Sequence, residues 1–500
     1  MNFKLYRNMK NFKLLLASML IMILAFTSCE DLEVENLNEP DRARALSDPG
    51  DLISLMKSGT LDSYWGITTS WGTHFHLMAD QITTTNKSRQ FWDFAEEPRL
   101  RLQNDPNYGG LGALTSPWSN LNSAVVSSNA VLSYINDGNT FVDENDNDIT
   151  KQMEAGALFA KGFAQGYLGV IFDKAYIVDF DSDLGNLELQ PYTALIDEGI
   201  ANMQAGLAAA NAAPNFKYDL MVNVDMDITE FTKYANSMLA RIASQEARTS
   251  AEAATLDWNQ ILTWANNGFT EDFYIETSPG NWFNSTIDWA GYVLNSGAGY
   301  LPTDLKVAHL ADPVNIPQVY PATGVLDQAD SPDARFEQYF TYTTDFGYLR
   351  PERNRGIFSN WYNSRFMTNN TMSEAGDQNP QFLLAEIQML KAEANMRLGN
   401  NVAAAAAINN SPRTSVGGLD PVLPTDDLTY ILHYEYSIEL DLAAGSTTQW
   451  AFMRRNDLLQ EGTPFMFPIP ATELEATGLE LYSFGGIGQE GGAVGNGWKN

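Results

Sequence analysis

Several stretches of this chain repeat apolar side chains at three- and four-residue steps, and that repetition restricts the fold more than any other feature. Trp118, Leu121, Val125, Leu132 and Ile135 form one stripe after Pro117, read as a breaker. Residues 153–172 form the next, with Gly156, Ala160, Ala164 and Gly169 as small positions where a neighbouring helix can come close. Ile196, Ile200, Met203 and Leu207 follow Pro191, and residues 231–247 and 258–267 complete the group. A side chain that returns to one face every turn describes an amphipathic helix with one side to bury. Paired helices with modest connections bury those sides on one another, which predicts a mainly α chain of degenerate helical-hairpin repeats over about 116–268. The periodicity returns at 380–442. Leu383, Ile387, Leu390, Ala394 and Leu398 share a face that ends at Gly399-Asn400, a helix-stop signal. The run Ala403–Ala407 is the expected partner, and residues 428–442 a further helix.

Two stretches lack this pattern. Residues 60–110 hold Tyr64, Trp65, Trp71, Phe75, Phe91, Trp92 and Phe94, and residues 269–370 are rich in Pro, Asn, Trp and Tyr. Both are expected to be loop-rich, and long loops inside a folded chain are usually functional. A short helix is expected only near 51–57. With 44% hydrophobic and 12% aromatic residues over 500 positions, the chain can build a large core and is not disordered. Its 62 acidic against 30 basic side chains argue against binding nucleic acid, which needs a basic face.

The N-terminus reads as a targeting segment. Lys4, Arg7, Lys10 and Lys13 precede an apolar run from Leu14 to Phe26, 13 residues long and too short to span a bilayer. Thr27 and Ser28 then lead to Cys29, the one cysteine in the sequence, so no disulfide can form within the chain. Glu30, Asp31, Glu33 and Glu35 follow as an acidic tether. The expected organisation is a signal peptide (1–28), a tether (29–50) and a single folded domain (51–500). Removing 1–28 leaves 26 basic and 62 acidic residues, a formal charge of −36.

Ordered motifs carry a resemblance. The segment LLAEIQMLKAEANMRLGN (Leu383–Asn400), the Ala-rich helix with Asn409, and Ser411–Leu419 with its Arg413 and Gly-Leu are followed by Tyr434-Glu435 and Glu439-Leu440. Trp450 with Arg454-Arg455, and Phe467–Pro470 with Glu473, close the series. Upstream, Trp118–Asn129, Glu154–Tyr167 and Ala235–Arg241 stand in the matching order. Together they resemble the SusD-like (RagB/SusD) lipoproteins of outer-membrane nutrient uptake, and Cys29 resembles the lipobox cysteine that is acylated in bacterial lipoproteins. Departures are Phe26 before the cysteine, Lys161-Gly162 for Arg-Ala, Tyr436 for an Arg and Ala444 in a turn. The resemblance implies tetratricopeptide-like helix pairs with ligand-binding loops on one face. It also implies a surface lipoprotein, anchored in the outer membrane by lipid alone, that captures an oligosaccharide or other nutrient. Its partner would be a SusC-like TonB-dependent transporter barrel. The resemblance implies no catalysis and no cofactor.

Sugars are bound by flat aromatic faces against C–H faces of the ring and by planar polar groups at the hydroxyls. The two loop-rich stretches supply Trp65, Trp71, Trp92, Trp282, Trp289, Tyr292 and Trp361 as platforms, with Asp80, Asn86, Asn281 and Asn284 as polar partners. The same aromatics are also expected to serve as core under the loops. His74 and His76 with Asp80 read better as a hydrogen-bonded group than as a metal site. Asp143, Asn145, Asn147 and Glu154 fall on calcium-loop positions, but Asp148 stands where the tight turn needs glycine, so a solvated acidic turn is the better reading. Residues 486–491 spell GxGxxG without a preceding strand or room for the helix after it, and are set aside. Two other functions stay open on the sequence: a lipid-anchored glycoside hydrolase, since acids are plentiful, and a helical scaffold that binds only protein.

Overall fold

The computed structural model describes residues 48–68, 72–84, 87–221, 224–276, 301–319, 325–344, 359–366, 378–443, 445–495 and 498. All packing below lies within one unit, Pro49–Asn500. Helix α1 (Pro49–Thr68) begins with proline at its first position, where a missing N–H matters least. It runs well past the short helix expected near 51–57 and into the stretch expected as loop. Its buried stripe is Leu52, Met56, Thr60, Tyr64 and Ile67. Thr60 interrupts the apolar pattern in sequence, but its hydroxyl donates to the Met56 carbonyl at 2.9 Å, so the helix satisfies its own buried polar group. The short helices α2 (Thr73–Met78) and α3 (Phe91–Ala95) follow.

Helix α4 (Gly112–Asn136) starts ahead of the expected break and holds Pro117 inside its second turn. The turn before it is tightened by a bond from Leu114 N–H to the Leu111 carbonyl at 2.9 Å, and Leu111, Ala113 and Leu114 are buried. Helix α5 (Thr150–Ile171) leads into the hairpin of β1 (Lys174–Tyr176) and β2 (Leu189–Pro191) and then α6 (Tyr192–Ala212). Helix α7 (Ile228–Ser244) carries a capping box: Asp227 accepts from Thr229 and Glu230 N–H, and Glu230 accepts from Asp227 N–H. The short α8 (Ser250–Ala253) and α9 (Trp258–Asn266) end the first half.

Beyond them come β3 (Phe273–Glu276), α10 (Leu305–Ala311), α11 (Ala334–Tyr339), β4 (Phe340–Tyr342), β5 (Trp361–Asn363) and β6 (Gln378–Phe382). Strand β3 pairs antiparallel with β6, and β4 with β5. The C-terminal helices are α12 (Leu384–Arg397), α13 (Asn401–Asn409), α14 (Pro412–Ser415), α15 (Leu428–Ile438), α16 (Thr448–Arg455) and α17 (Ala471–Thr477). Gly399 takes a φ of 79° just past α12, as its sequence signal predicts. Helix α15 stops four residues short of the expected Leu442, which itself has a φ of 55°. The chain is mainly helical, and the helices pack in series: α1 on α4, α4 on α5, α5 on α6, α6 on α7, α7 on α9 and α9 on α12.

The closest of these seams is α5 with α6. A Cβ added at Gly199 would lie 2.6 Å from the Gly166 nitrogen and 2.7 Å from the Gly162 oxygen, so the two backbones touch directly. The close face runs through Gly162, Gly166 and Gly169, whereas Gly156 faces Leu220 on a different neighbour. Of the small positions named from sequence, Gly169 lies on the α6 seam, facing the Tyr192 carbonyl.

Candidate ligand-binding surface

The two loop-rich stretches meet. Ile82 forms an antiparallel bridge with Thr303, and Thr83 N–H donates to the Pro302 carbonyl at 2.8 Å. Asp304 N–H donates to the Gln81 carbonyl at 2.9 Å, and Thr303 N–H to the Trp361 carbonyl at 3.0 Å. Segments 81–84, 301–304 and 359–363 therefore lie side by side, though they are far apart in sequence. Backbone pairing holds them, which neither periodicity nor propensity could announce.

Beneath this junction sits Asp80, in a left-handed backbone conformation and 1% exposed. Its carboxylate is ion-paired to Arg99 and accepts from Gln460 Nε2 at 2.6 Å and from the Trp498 indole N–H at 2.7 Å. Lys306 stands 3.9 Å away and pairs with Glu97, which also accepts from Gln460 Nε2 at 3.0 Å. Burial would raise Glu97, but Lys306 and Arg99 outweigh it and hold the carboxyl below its usual range. Asp304, also next to Lys306, is pushed up to about 7, chiefly by burial and then by the charges of Asp80 and Glu97 against the pull of Lys306. Burial opposes the charge on Lys306, but its three carboxylate neighbours push its pKa up.

The named candidates divide into groups. Asp80 and Trp361 are both 1% exposed, with Trp361 packed against Tyr342 at 5.5 Å and Phe336 at 6.2 Å between ring centroids. Neither offers a face to solvent; they frame the junction from below because their polar and aromatic surfaces are already matched by the interior. Trp65 and Trp92 are half-buried, and the Trp65 indole N–H is buried without a hydrogen-bond partner among the described residues. Trp71, Asn86, Asn281, Trp282, Asn284, Trp289 and Tyr292 lie outside the described residues, as does Cys29. Sequence reasoning missed Arg99, Lys306, Gln460 and Trp498. The available signal for two of them was charge placed among aromatics: Glu97 and Arg99 in one stretch, Asp304 and Lys306 in the other. Nothing local marked Gln460 or Trp498.

His76 Nδ1 and Gln81 Oε1 are 2.6 Å apart, and burial lowers His76 to about 4. His74 sets its ring on Phe94, 4.1 Å between centroids. In the acidic turn, Asp143 accepts from the N–H groups of Asn145 at 2.8 Å and Asn147 at 2.9 Å, and from Asn147 Nδ2 at 2.8 Å, while Glu154 pairs with Lys151. The carboxylates there organise their own turn. Among the described residues no group of three or more His, Cys, Asp or Glu side chains is arranged to hold a metal ion.

Solved structures share this helical arrangement and the course of the chain through it. A SusD superfamily protein from Parabacteroides distasonis ATCC 8503 superposes with a TM-score of 0.59 at 14% identity, over 85% of this chain and 97% of its own. The fold is that of the SusD superfamily. A SusD-like carbohydrate binding protein from Bacteroides vulgatus ATCC 8482 matches with a TM-score of 0.56 at 15% identity, covering 82% of this chain and 84% of that one. A further chain, solved with xylogluco-oligosaccharide, matches at 0.51 and 12% identity, covering 81% and 82%. No family model matches the sequence, and no curated relative does.

Within this SusD fold the motif residues are interior fasteners. Glu386 and Glu393 stand two turns apart on α12, both 0% exposed. Arg241 from α7 grips Glu386 with Nε at 2.7 Å and Nη2 at 2.6 Å, and its guanidinium lies 3.6 Å over the Phe382 ring. Arg455 from α16 grips Glu393 in the same forked way, Nη2 at 2.6 Å. Arg335 is 0% exposed among Asp333, Glu435 and Glu439, at 2.7, 2.7 and 3.0 Å, and Arg365 and Arg413 close the cluster on Glu439 and Glu435 at 2.7 and 2.8 Å. Among the described residues Arg454 has no carboxylate hydrogen-bond partner. It donates to the carbonyls of Val170 at 3.0 Å, Phe465 at 2.8 Å and Gln245 at 2.6 Å, and so places a cation at the C-terminal end of α5. Phe467 N–H donates to the Ile171 carbonyl at 2.8 Å, tying the Phe-Pro-Ile-Pro segment to the same helix end.

Proposed function

We propose that this protein is a non-catalytic, lipid-anchored cell-surface protein. In this reading it captures an oligosaccharide at the junction surface and hands it to a SusC-like TonB-dependent barrel in the outer membrane. The observation that carries the reading is the junction itself, within a fold whose solved examples include carbohydrate binders. It draws segments of both aromatic stretches onto one frame, and a rigid scaffold bearing loops is how binding surfaces are commonly built. Trp65 and Trp92 are the described platforms in this reading, and Trp71, Trp282, Trp289 and Tyr292 the further ones, with Asn86, Asn281 and Asn284 as hydroxyl partners. Acylation at Cys29 would supply the anchor, because a lipid-modified terminus needs no spanning helix; no helix among the described residues is long and apolar enough to cross a membrane.

The test is to incubate the protein with a glycan panel that includes xylogluco-oligosaccharide, and to follow both binding and product. Saturable binding with no new reducing ends supports capture, and turnover that disappears with one carboxylate would make it a hydrolase. Delivery is tested separately, by isolating the protein from outer membrane in mild detergent. A barrel should accompany it, and its repeated absence would remove the transporter role.

A further inference from the structure

We propose that a concavity at the C-terminal end of α10 is a second saccharide-binding site, separate from the junction and suited to one or two neutral sugar units. The concavity holds about 470 Å³, within the span of roughly 300–1,000 Å³ typical of small-molecule sites. It lies between the turn at 312–315, the first turns of α15, and Arg413. Helix α10 has 7 residues, so about 10 Å separates it from Asp304 at the junction.

One wall is fixed without a ligand. Asp312, 4% exposed, accepts from Asn315 N–H and Nδ2 at 3.1 Å and from Asp330 N–H at 2.8 Å, which locks the turn to the strand of chain before α11. The opposite wall carries Tyr430, 49% exposed, so part of its ring is free to stack. Arg413 completes the lining. Its Nη1 is engaged by Glu435 at 2.8 Å. The Asp330 carboxylate is exposed at the rim and supplies an acceptor.

One aromatic face and one exposed acceptor in a mostly apolar hollow match a sugar, which has C–H faces and hydroxyls that donate hydrogen bonds. Charge selects a neutral one. The charge of Arg413 is already matched by Glu435, so an acidic sugar would meet Asp312 and Asp330 with no free cation to pair with. The assignment goes beyond capture at the junction and stands on different residues, so the two can fail independently.

Saturation-transfer NMR on the full chain with millimolar glucose, galactose, mannose, xylose, cellobiose and maltose tests it. Transfer to the ring protons of at least one sugar is expected. Tyr430→Ala should weaken that binding about tenfold, the value of a lost stacking face. Asp330→Asn should weaken it too, with the melting temperature unchanged in both because both side chains are exposed. Absence of transfer to all six sugars overturns the proposal. So does transfer that survives both variants unchanged, which would put the sugar elsewhere. Trialanine taking up saturation that Tyr430→Ala abolishes, with no sugar doing so, would make the hollow a peptide site and overturn it equally.

Discussion

The seam of α5 with α6 and the faces of α12 are both fully buried, yet they are built from opposite materials. The first is glycine against glycine, backbone to backbone, with the apolar stripe of each helix beside it. The second buries Glu386 and Glu393 against Arg241 and Arg455. Glycine contact depends on volume alone, so it fixes how near two helices lie. A forked guanidinium–carboxylate pair depends on direction, so it fixes which helix meets which and in what register. The comparison suggests a division of labour: small residues set distance in the first half, and buried charge sets partner choice in the second.

The largest expected effect tests the charged half. Glu393→Ala leaves Arg455 buried and uncompensated, and should cost about 3–5 kcal/mol by denaturant unfolding. Glu393→Met with Arg455→Leu should recover most of that loss, because replacing both partners removes the unpaired charge. If the double variant is as unstable as the single one, the pair does more than satisfy itself. Next is the glycine seam: Gly199→Ala drives a methyl into the α5 backbone and should cost about 3 kcal/mol. A loss below a few tenths would mean the seam can open cheaply, and the distance-setting role would go.

A third experiment asks how closely balanced the charged half is. Asp441, 1% exposed beside Asn363 and Arg365, is pushed up to about 8, mainly by burial. The folded chain keeps that proton up to about 8, whereas an unfolded Asp releases it near 3.8. The group's stabilising contribution is therefore complete at low pH and lost as pH rises from about 4 through 8. Asp441→Asn should flatten the fall in melting temperature over that window; an unchanged slope would assign the fall to other groups. The smallest effect belongs to the first half: Asp227→Ala removes the cap of α7 and should cost about 1 kcal/mol by denaturant unfolding.

Much of the helical frame was legible, because a buried helix face repeats every turn whatever its neighbours are. The misses have physical causes. The short helix expected near 51–57 continues through Thr60 to Thr68, because the Thr60 hydroxyl is satisfied by its own helix. Helix α4 begins at Gly112, ahead of the break expected at Pro117, because a tightened first turn accommodates the proline. The candidate surface was legible only as two aromatic stretches. That Asp80 and Trp361 would be turned inward was not, since a polar or aromatic side chain looks the same in sequence whether its partner is water or Arg99.

What the sequence determined by itself was a mainly helical chain, the positions of most of its helices, and the motif order that resembles SusD-like proteins. Periodicity and order are local, so they survive without coordinates. Tertiary structure decided the rest. It brought residues 81–84, 301–304 and 359–363 into one junction, sent the motif glutamates and arginines inward in pairs, and left a hollow between the 312–315 turn and α15. Those outcomes depend on which distant groups come to lie within about 3 Å of one another, a condition no single stretch of sequence contains.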